Sequence, residues 1–161
     1  MLAPVLSHAL TAAGRRFAIV ASEYNREYVD GMLAAAQRIF TERGAAAVEV
    51  RRVPGAFEIP VVVARLARRP APPDAILALG LILRGDTAHA DHVGNAVTHA
   101  LMRIAVETGV PVVHEVLLMN DLTHARARCL DPDTNKGAEA ALTAIAMAAL
   151  WVEAAAEPAL P

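Results

Sequence analysis

The feature that most constrains this chain is an alternation between short apolar runs and segments with helical spacing. The apolar runs lie at residues 17–22, 46–53, 75–83 and 110–119. The helical segments lie at 26–43, 57–68, about 91–108, and roughly 121–128 and 136–152. Strands that are nearly continuously apolar and alternate with helices predict a parallel sheet covered on both faces, with right-handed crossovers.

Glycine and proline mark the ends of several predicted elements. Gly44 and Gly109 follow the first and third helices, where a glycine commonly ends a helix. The Pro54-Gly55 turn precedes the second helix, in which Pro60 fits only near the first turn. The run at 75–83 predicts a strand buried on both faces, and ligands in such sheets bind at the carboxyl ends of the strands.

The length of 161 residues predicts a single domain, which we place at 16–154 between an N-terminal extension (1–15) and a C-terminal tail (155–161). Two alternatives stay open for the extension: it is mobile, or it adds a strand that pairs with a neighbouring subunit. The longest apolar run, 140–152, is too short to span a bilayer, so we expect a buried helix and no membrane partner.

Composition excludes several functional classes. Lys and Arg number 15 against 17 Asp and Glu, and no basic segment contains interleaved aromatics, so nucleic acid is not an expected partner. Cys129, the single cysteine, has no partner for an intrachain disulfide, and the N-terminus lacks signal-peptide character. We therefore expect a cytoplasmic protein.

The segment from Arg84 to His89 leaves a buried strand and enters a helix, where free N–H groups and the helix dipole favour an anion. Gly85 is expected to let the backbone turn tightly and approach a ligand. The positive field there favours a neutral imidazole, which makes His89 a candidate general acid/base. The alternatives are a plain connection capped by Asp86, Thr87 or Asp91, and a solvated loop histidine.

The remaining histidines carry less information. His8, His92, His99 and His124 are interpreted as surface residues, and no pair shows the spacing of a metal site.

Two further segments follow predicted strands. Glu58 and Phe57 lie beyond the second strand, where a carboxylate could bind a polyol, or Glu58 could simply complement its own helix dipole. Tyr24 follows the first strand and offers a flat face to a planar ring.

A basic corner lies around the last two predicted helices and contains Arg126, Arg128 and the Asn135-Lys136-Gly137 segment. It suits phosphate, or it is a solvated helix end.

Read together, these segments resemble the lumazine synthase family over roughly residues 16–150. The motifs that carry the resemblance are VPGAFEIP (53–60), DAILALGLILRGDTAHADHVGNAV (74–97), ETGVPVV (107–113) and NKGAEAAL (135–142). Their joint occurrence at this spacing is far more specific than any one of them.

The resemblance implies a flavodoxin-like three-layer αβα fold with a four-stranded parallel sheet. It implies pentamers with active sites at subunit interfaces, some of which assemble into decamers or icosahedral shells, and riboflavin synthase as a further partner. The reaction implied joins 5-amino-6-ribitylamino-2,4-pyrimidinedione to 3,4-dihydroxy-2-butanone 4-phosphate. Phosphate and water are lost, 6,7-dimethyl-8-ribityllumazine is formed for riboflavin synthesis, and no cofactor or metal is needed.

The resemblance also implies roles for individual residues. His89 corresponds to the proton-transfer histidine. The implied phosphate ligands are Gly85, Asp86, Thr87, Arg128 and Lys136. The implied pyrimidine and ribityl ligands are Tyr24, Asn25, Ala56, Phe57, Glu58, the backbone of Leu81, Ile82 and Leu83, and His114.

Three positions depart from the family pattern. His114 replaces a frequent aromatic that reaches a neighbouring subunit's site, Ala90 replaces Phe or Tyr, and Met119-Asn120 replaces a Thr-rich pair. Two other hypotheses therefore stay open: an archaeal-type riboflavin synthase, and a non-catalytic protein that binds flavin or forms shells. The intact His89, Arg128 and Gly85–Thr87 segment favours the synthase.

Overall fold

The computed structural model describes residues 10–156, with side chains described to residue 152. His8 and most of the predicted N-terminal extension lie outside these residues. The strands are β1 (Arg16–Ser22), β2 (Ala47–Val53), β3 (Ala75–Leu83) and β4 (Val112–Met119). The α-helices are α1 (Arg26–Glu42), α2 (Ile59–Ala67), α3 (His89–Thr108), α4 (Leu122–Cys129) and α5 (Lys136–Ala156).

The four strands form one parallel sheet in the order β2-β1-β3-β4. Helices cover both faces, so the predicted three-layer α/β architecture is confirmed. The strand β3 is longer than β1, and the last residue pair between them is Ala21 with Leu79. Residues 81–83 therefore extend beyond β1 at the carboxyl end of the sheet.

Alternation along the strands divides the core into two layers. Phe17, Ile19 and Leu77 face α1 and α5, and the ring of Phe17 stacks on Phe40 with centroids 4.4 Å apart. Ala18, Val20 and Ile76 face α2 and α3. Each large apolar side chain buried here contributes about 1.5–3 kcal/mol to folding, which explains how a chain poor in aromatics holds its sheet.

Close backbone contacts fix the last two helices against α1. A Cβ atom at Gly137 would lie 2.0 Å from the Met32 carbonyl oxygen, and one at Gly31 would lie 2.5 Å from the Cys129 carbonyl oxygen. Asn135 connects the same region, because its amide nitrogen donates to the Cys129 carbonyl oxygen at 2.6 Å. The α4–α5 loop therefore has a defined position relative to the sheet.

The structure corrects several predicted boundaries. The second predicted helix begins as a short 3₁₀ helix (Ala56–Glu58), because Glu58 caps this turn, and becomes α-helical only at Ile59. The helix α3 begins at His89 instead of Asp91. Its N-cap is Ala88, so the caps considered at Asp86, Thr87 and Asp91 were wrong.

The helix α5 is also less buried than the sequence predicts. Ala141 and Ile145 are buried, whereas Leu150, Trp151 and Val152 near the end of the helix are exposed. It continues to Ala156, so the proposed start of the C-terminal tail falls inside it. At the other end, Ala13 forms an isolated bridge with Ala45 of the same chain.

No helix within residues 10–156 is long and apolar enough to cross a bilayer.

Candidate active site

A cleft of about 790 Å³ opens at the carboxyl ends of β1 and β3, on the side of the sheet that carries α2 and α3. Nine predicted site residues line it together: Tyr24, Asn25, Ala56, Phe57, Glu58, Leu81, Ile82, Leu83 and His89. Residues separated by more than fifty positions in sequence thus meet because parallel strands end at one edge.

The turn after β1 forms one wall of this cleft. Asn25 has a positive φ of 57°, and its side-chain amide donates to the Leu81 carbonyl oxygen at 2.7 Å. The ring of Tyr24 lies close to Gly55, where a Cβ atom would be 3.1 Å from the ring. A glycine at 55 therefore leaves room for the Tyr24 ring, which is 72% exposed and presents a face to the cleft.

Glu58 is held within its own turn. Its Oε2 accepts a hydrogen bond from the Gly55 N–H at 2.9 Å, so Glu58 satisfies the backbone of the N-cap residue of the 3₁₀ helix. This is the local structural role that the sequence left open beside polyol binding. A ligand hydroxyl group that bound Glu58 would share its carboxylate with the Gly55 N–H, which already orients it. Phe57, next to it, is largely exposed at the mouth of the cleft.

The loop after β3 carries the predicted phosphate cradle. Within the described chain, the N–H groups of residues 85–88 donate to no other residue, so they are available to an anion. Gly85 has no positive φ, and a Cβ atom there would meet nothing within 4 Å. Gly85 therefore does not need the left-handed backbone that favours glycine, and the close approach of a ligand stays the predicted reason for a glycine there.

His89 is the first residue of α3 and lines the cleft. Its N–H lies 3.4 Å from the Thr87 hydroxyl oxygen. Arg84 fixes the loop below it by binding Asn120 at 2.9 Å and forming an ion pair with Asp91. Asp91 therefore pairs with Arg84 instead of capping the helix.

Besides Gly55 in the turn after β2, three cleft residues on α3 were missed in the sequence. His92, Val93 and Ala96 follow His89 at intervals of three, four and seven, which places all four on one helical face. His92 is exposed, as predicted for a surface residue, yet it lines the cleft. Helical spacing from His89 would have identified this face.

Besides the Gly85–Thr87 segment, which does not line the cleft, two predicted groups lie outside the cleft of their own chain. One consists of Arg128 at the end of α4 and Lys136 at the start of α5, where the Lys136 Nζ contacts Glu139 Oε2 at 2.6 Å. Asn135 orders this corner, because its Oδ1 accepts from the Gly137 N–H at 2.9 Å. Arg128 is exposed and forms no ion pair with the described residues.

His114 is the second of these predicted groups and also lies outside the cleft of its own chain. On β4, its Nε2 lies 2.9 Å from the Thr98 hydroxyl and its Nδ1 3.4 Å from the Val116 N–H. Because Nδ1 accepts, Nε2 carries the proton in the neutral ring and donates to Thr98. Partial burial lowers the pKa of His114, against an opposing backbone hydrogen bond, and so favours this neutral form.

Among residues 10–156, no cluster of three or more His, Cys, Asp or Glu side chains could hold a metal ion.

Fold and site together define a three-layer α/β protein with a cleft beyond the carboxyl ends of its parallel strands and a histidine at a helix N-terminus beside it. Residues 14–151 match the family model described as 6,7-dimethyl-8-ribityllumazine synthase. Similar proteins with that name come from Kineococcus radiotolerans (45% identity, covering 83% of each chain) and Xylella fastidiosa strain 9a5c (42%, covering 88% of this chain and 92% of that one). Another, from Mycobacterium leprae, is 43% identical over 86% of each chain. The chain belongs to this family.

Membership confirms the family and the enzyme class, a transferase, that the sequence predicted. Family membership does not favour the two other hypotheses, an archaeal-type riboflavin synthase and a non-catalytic protein that binds flavin or forms shells.

Proposed function

We propose that this chain condenses 5-amino-6-ribitylamino-2,4-pyrimidinedione with 3,4-dihydroxy-2-butanone 4-phosphate to form 6,7-dimethyl-8-ribityllumazine, phosphate and water. The observation that carries the proposal is that one cleft brings together an aromatic face, a free strand edge, a carboxylate and His89. These are the groups needed to hold a planar ring with a polyol chain beside a proton carrier. No cofactor takes part in the proposed reaction.

The pyrimidine ring is proposed to bind against residues 81–83. Because the pairing of β1 with β3 ends at Leu79, the backbone beyond it faces the cleft instead of a neighbouring strand. Asn25 already binds the Leu81 carbonyl oxygen, which leaves Ile82 and Leu83 to recognise the polar edge of the ring. Tyr24 stacks on its face, while Ala56, Phe57 and Glu58 border the ribityl chain.

The proposed chemistry needs proton transfer more than a strong nucleophile. The exocyclic amine of the pyrimidine attacks the ketone and loses water to form an imine. Elimination then releases phosphate and leaves an enol that tautomerises to a ketone, and the second amine attacks this carbonyl carbon and closes the ring with loss of a second water. His89 carries protons between these atoms, and preorientation of the two substrates supplies a large share of the rate.

The phosphate group is proposed to bind between the N–H groups of Gly85, Asp86 and Thr87 and the side chains of Arg128 and Lys136. Backbone N–H groups ahead of a helix and a bidentate guanidinium both suit a dianion. They would also stabilise the charge on the departing phosphate. Since Arg128 and Lys136 do not line the cleft of their own chain, we propose that the site is completed where two subunits meet.

A homopentamer is the proposed assembly, with decamers or icosahedral shells built from it and riboflavin synthase as an associated enzyme.

Three observations support contacts between copies of the chain. Met102 and Val106 of α3 are exposed, Trp151 of α5 lies against Gly109 at the end of α3, and β4 is an edge strand beside them. We refer to Met102, Val106, Trp151 and the open edge of β4 as the β4 edge surface. Apolar residues around an open strand edge are typically covered by a partner.

In this assembly, His114 is proposed to contact the substrate ring in a neighbouring subunit. The free, buried thiol of Cys129 suits a reducing compartment, and we propose the cytoplasm as its location.

Substrate binding without turnover tests the proposed cleft. The ribitylaminopyrimidinedione alone should bind to the wild-type protein in calorimetry. Ala96→Trp should abolish this binding by filling the cleft, because Ala96 lines it. Ala34→Trp, on the exposed face of α1, is the control and should bind normally. Equal binding by both variants would show that the pyrimidine lies elsewhere.

A further inference from the structure

The loop between β3 and α3 leaves its backbone N–H groups without a side-chain cap. A helix N-terminus normally satisfies its first N–H groups with such a cap. Here the N-cap is Ala88, and the N–H groups of residues 85–88 donate to no other described residue. Thr87 comes close, with its hydroxyl oxygen 3.4 Å from the His89 N–H. The loop is therefore open to an anion only while no side chain of its own caps it.

Asp91 is the side chain placed to close this loop. It is the third residue of α3, the position from which an acidic side chain commonly reaches back to the N–H of the N-cap residue. In the structure, its Oδ1 instead accepts a hydrogen bond from the Arg84 guanidinium at 2.5 Å. The carboxylate is thus bound to Arg84 and caps none of the N–H groups.

Arg84 is itself anchored to the end of β4. Its backbone N–H donates to the Met119 carbonyl oxygen at 2.9 Å, and one guanidinium nitrogen donates to Asn120 Oδ1 at 2.9 Å. The other terminal nitrogen binds Asp91. Because a guanidinium presents its donors in a rigid fork, the two partners together fix one orientation of the side chain. Asn120 is one of the departures from the family pattern, so the amide that anchors Arg84 is a feature of this chain.

The charges of Arg84 and Asp91 cancel beside the proposed phosphate site. Their side chains are 42% and 44% exposed, and an ion pair this exposed contributes little to folding. Loss of Arg84 alone would leave an uncompensated carboxylate at the loop, where Asp86 already contributes another. An uncompensated carboxylate at this point repels a dianion.

We propose that Arg84 keeps the phosphate site open by binding the Asp91 carboxylate, which would otherwise cap the free N–H groups or repel the anion from them. Arg84 is thus a positioning residue, which acts through Asp91 and not by contact with the substrate. The inference rests on the proposed function, since it takes the loop of residues 85–88 as part of the phosphate site.

Inorganic sulfate is the probe, because it is a dianion that does not titrate near neutral pH. Calorimetry at constant ionic strength gives its Kd for the assembled protein. Arg84→Ala should raise this Kd about fivefold to twentyfold, because it releases the Asp91 carboxylate. Asp91→Ala alone should leave the Kd at or below that of the wild-type protein. The double variant Arg84→Ala/Asp91→Ala should return to within about threefold of the wild-type Kd, because it removes both charges together.

The double variant separates this role from two others. If Arg84 bound the anion directly, or only held the loop in shape, removal of Asp91 as well would restore no affinity. A double variant that binds sulfate as weakly as Arg84→Ala would therefore overturn the inference. An unchanged Kd in Arg84→Ala, or a wild-type assembly that binds no sulfate, would overturn it too.

Two further variants guard the interpretation. Arg38→Ala is the matched control, because Arg38 forms an exposed ion pair with Glu42 on α1 at 3.0 Å, and its Kd for sulfate should be unchanged. Equal weakening by Arg38→Ala and Arg84→Ala would make the effect one of net charge and contradict the inference. Arg84→Met keeps the stem of the side chain without its charge or donors and should raise the Kd as Arg84→Ala does, so the test survives poor folding of the Ala variant. Denaturant unfolding should show little change of stability in any folded Arg84 variant.

Lumazine formation by the same preparations separates the two proposals. The inference predicts that Arg84→Ala raises the KM for the phosphate substrate more than it lowers kcat, and leaves the KM for the pyrimidine unchanged. An active wild-type enzyme whose KM for the phosphate substrate is the same in Arg84→Ala would refute the role of Arg84 alone. An inactive protein whose sulfate affinity follows the predicted series of variants would refute the proposed function alone.

Discussion

His89 is positioned by the backbone rather than by other side chains. It is the first residue of α3 and lines the cleft at the carboxyl end of β3. His89→Ala should lower kcat by about 10²-fold, the lower end of the usual effect of general acid/base catalysis. The assembly should remain intact, because the side chain is exposed.

Steady-state kinetics and light scattering check this prediction. His99→Ala is the control on the same helix, since His99 lies outside the cleft and bonds to the Asn95 carbonyl oxygen. An unchanged kcat in His89→Ala would remove His89 from proton transfer.

Arg128 differs from its neighbour Arg126 in the partners available to it. Arg126 lies 3.9 Å from Glu27, whereas Arg128 has no ion pair among the described residues. Arg128→Ala should raise the KM for the phosphate substrate about 10-fold to 100-fold, as expected for loss of a charge-assisted bond. Arg126→Ala should have little effect. A change confined to the KM of the pyrimidine would place phosphate elsewhere.

Glu115, on β4, should make the folding stability depend on pH. Burial raises its pKa to about 7 in the folded protein, against 4.5 as the ordinary value, so the folded state holds a proton that the unfolded chain has lost between these pH values. The free energy of unfolding should therefore fall as pH rises through this window, by at most about 3 kcal/mol.

Denaturant unfolding of wild type and Glu115→Gln at several pH values checks this. The two proteins should have similar stability near pH 4.5, and the variant should be more stable above pH 7. A constant difference between them over the whole range would show that Glu115 does not titrate in this window.

At the scale of the elements, glycine sets the distance between α1 and α5. A Cβ atom on Gly137 would lie 2.0 Å from a backbone oxygen that cannot rotate away. Gly137→Ala should cost about 3 kcal/mol or more, because the helices must separate. Gly94→Ala is the matched control: its Cβ atom would lie 3.7 Å from Leu118, and it should gain up to about 1 kcal/mol of helix propensity.

Thermal and denaturant unfolding measure both variants. Equal stability of Gly137→Ala and the wild-type protein would contradict the close packing of these helices.

The elements were predictable where local sequence decides them. The apolar run 75–83 coincides with β3, and Gly44 and Gly109 end helices with positive φ. The start of α3 was not predictable from capping residues, because its N-cap is an alanine and Arg84 takes the side chain of Asp91. That pairing depends on tertiary contacts, which spacing does not encode.

The cleft was predictable for a related reason. Residues that follow parallel strands converge at one edge, so Tyr24, the 56–58 turn and His89 could be placed together. The Asn25 bond to Leu81 and the Arg84 bond to Asn120 join distant segments. A single sequence shows neither.

At the scale of the whole molecule, the β4 edge surface is the part of the fold that a single chain leaves open. Met102→Glu places a carboxylate within it and should dissociate the proposed pentamer into smaller species. Gln37→Glu adds the same charge to an exposed site on α1 and should leave the assembly unchanged. Native mass spectrometry distinguishes these outcomes, and an intact pentamer in Met102→Glu would exclude this surface from the contact.

The most direct test of the central claim is to mix the purified protein with both proposed substrates and to follow lumazine absorbance and phosphate release together. The uncatalysed reaction of the same substrates is the reference. We predict that both signals accelerate equally, with one phosphate released for each lumazine formed. A folded, assembled protein that accelerates neither signal would contradict the assignment of this cleft as a lumazine-forming active site.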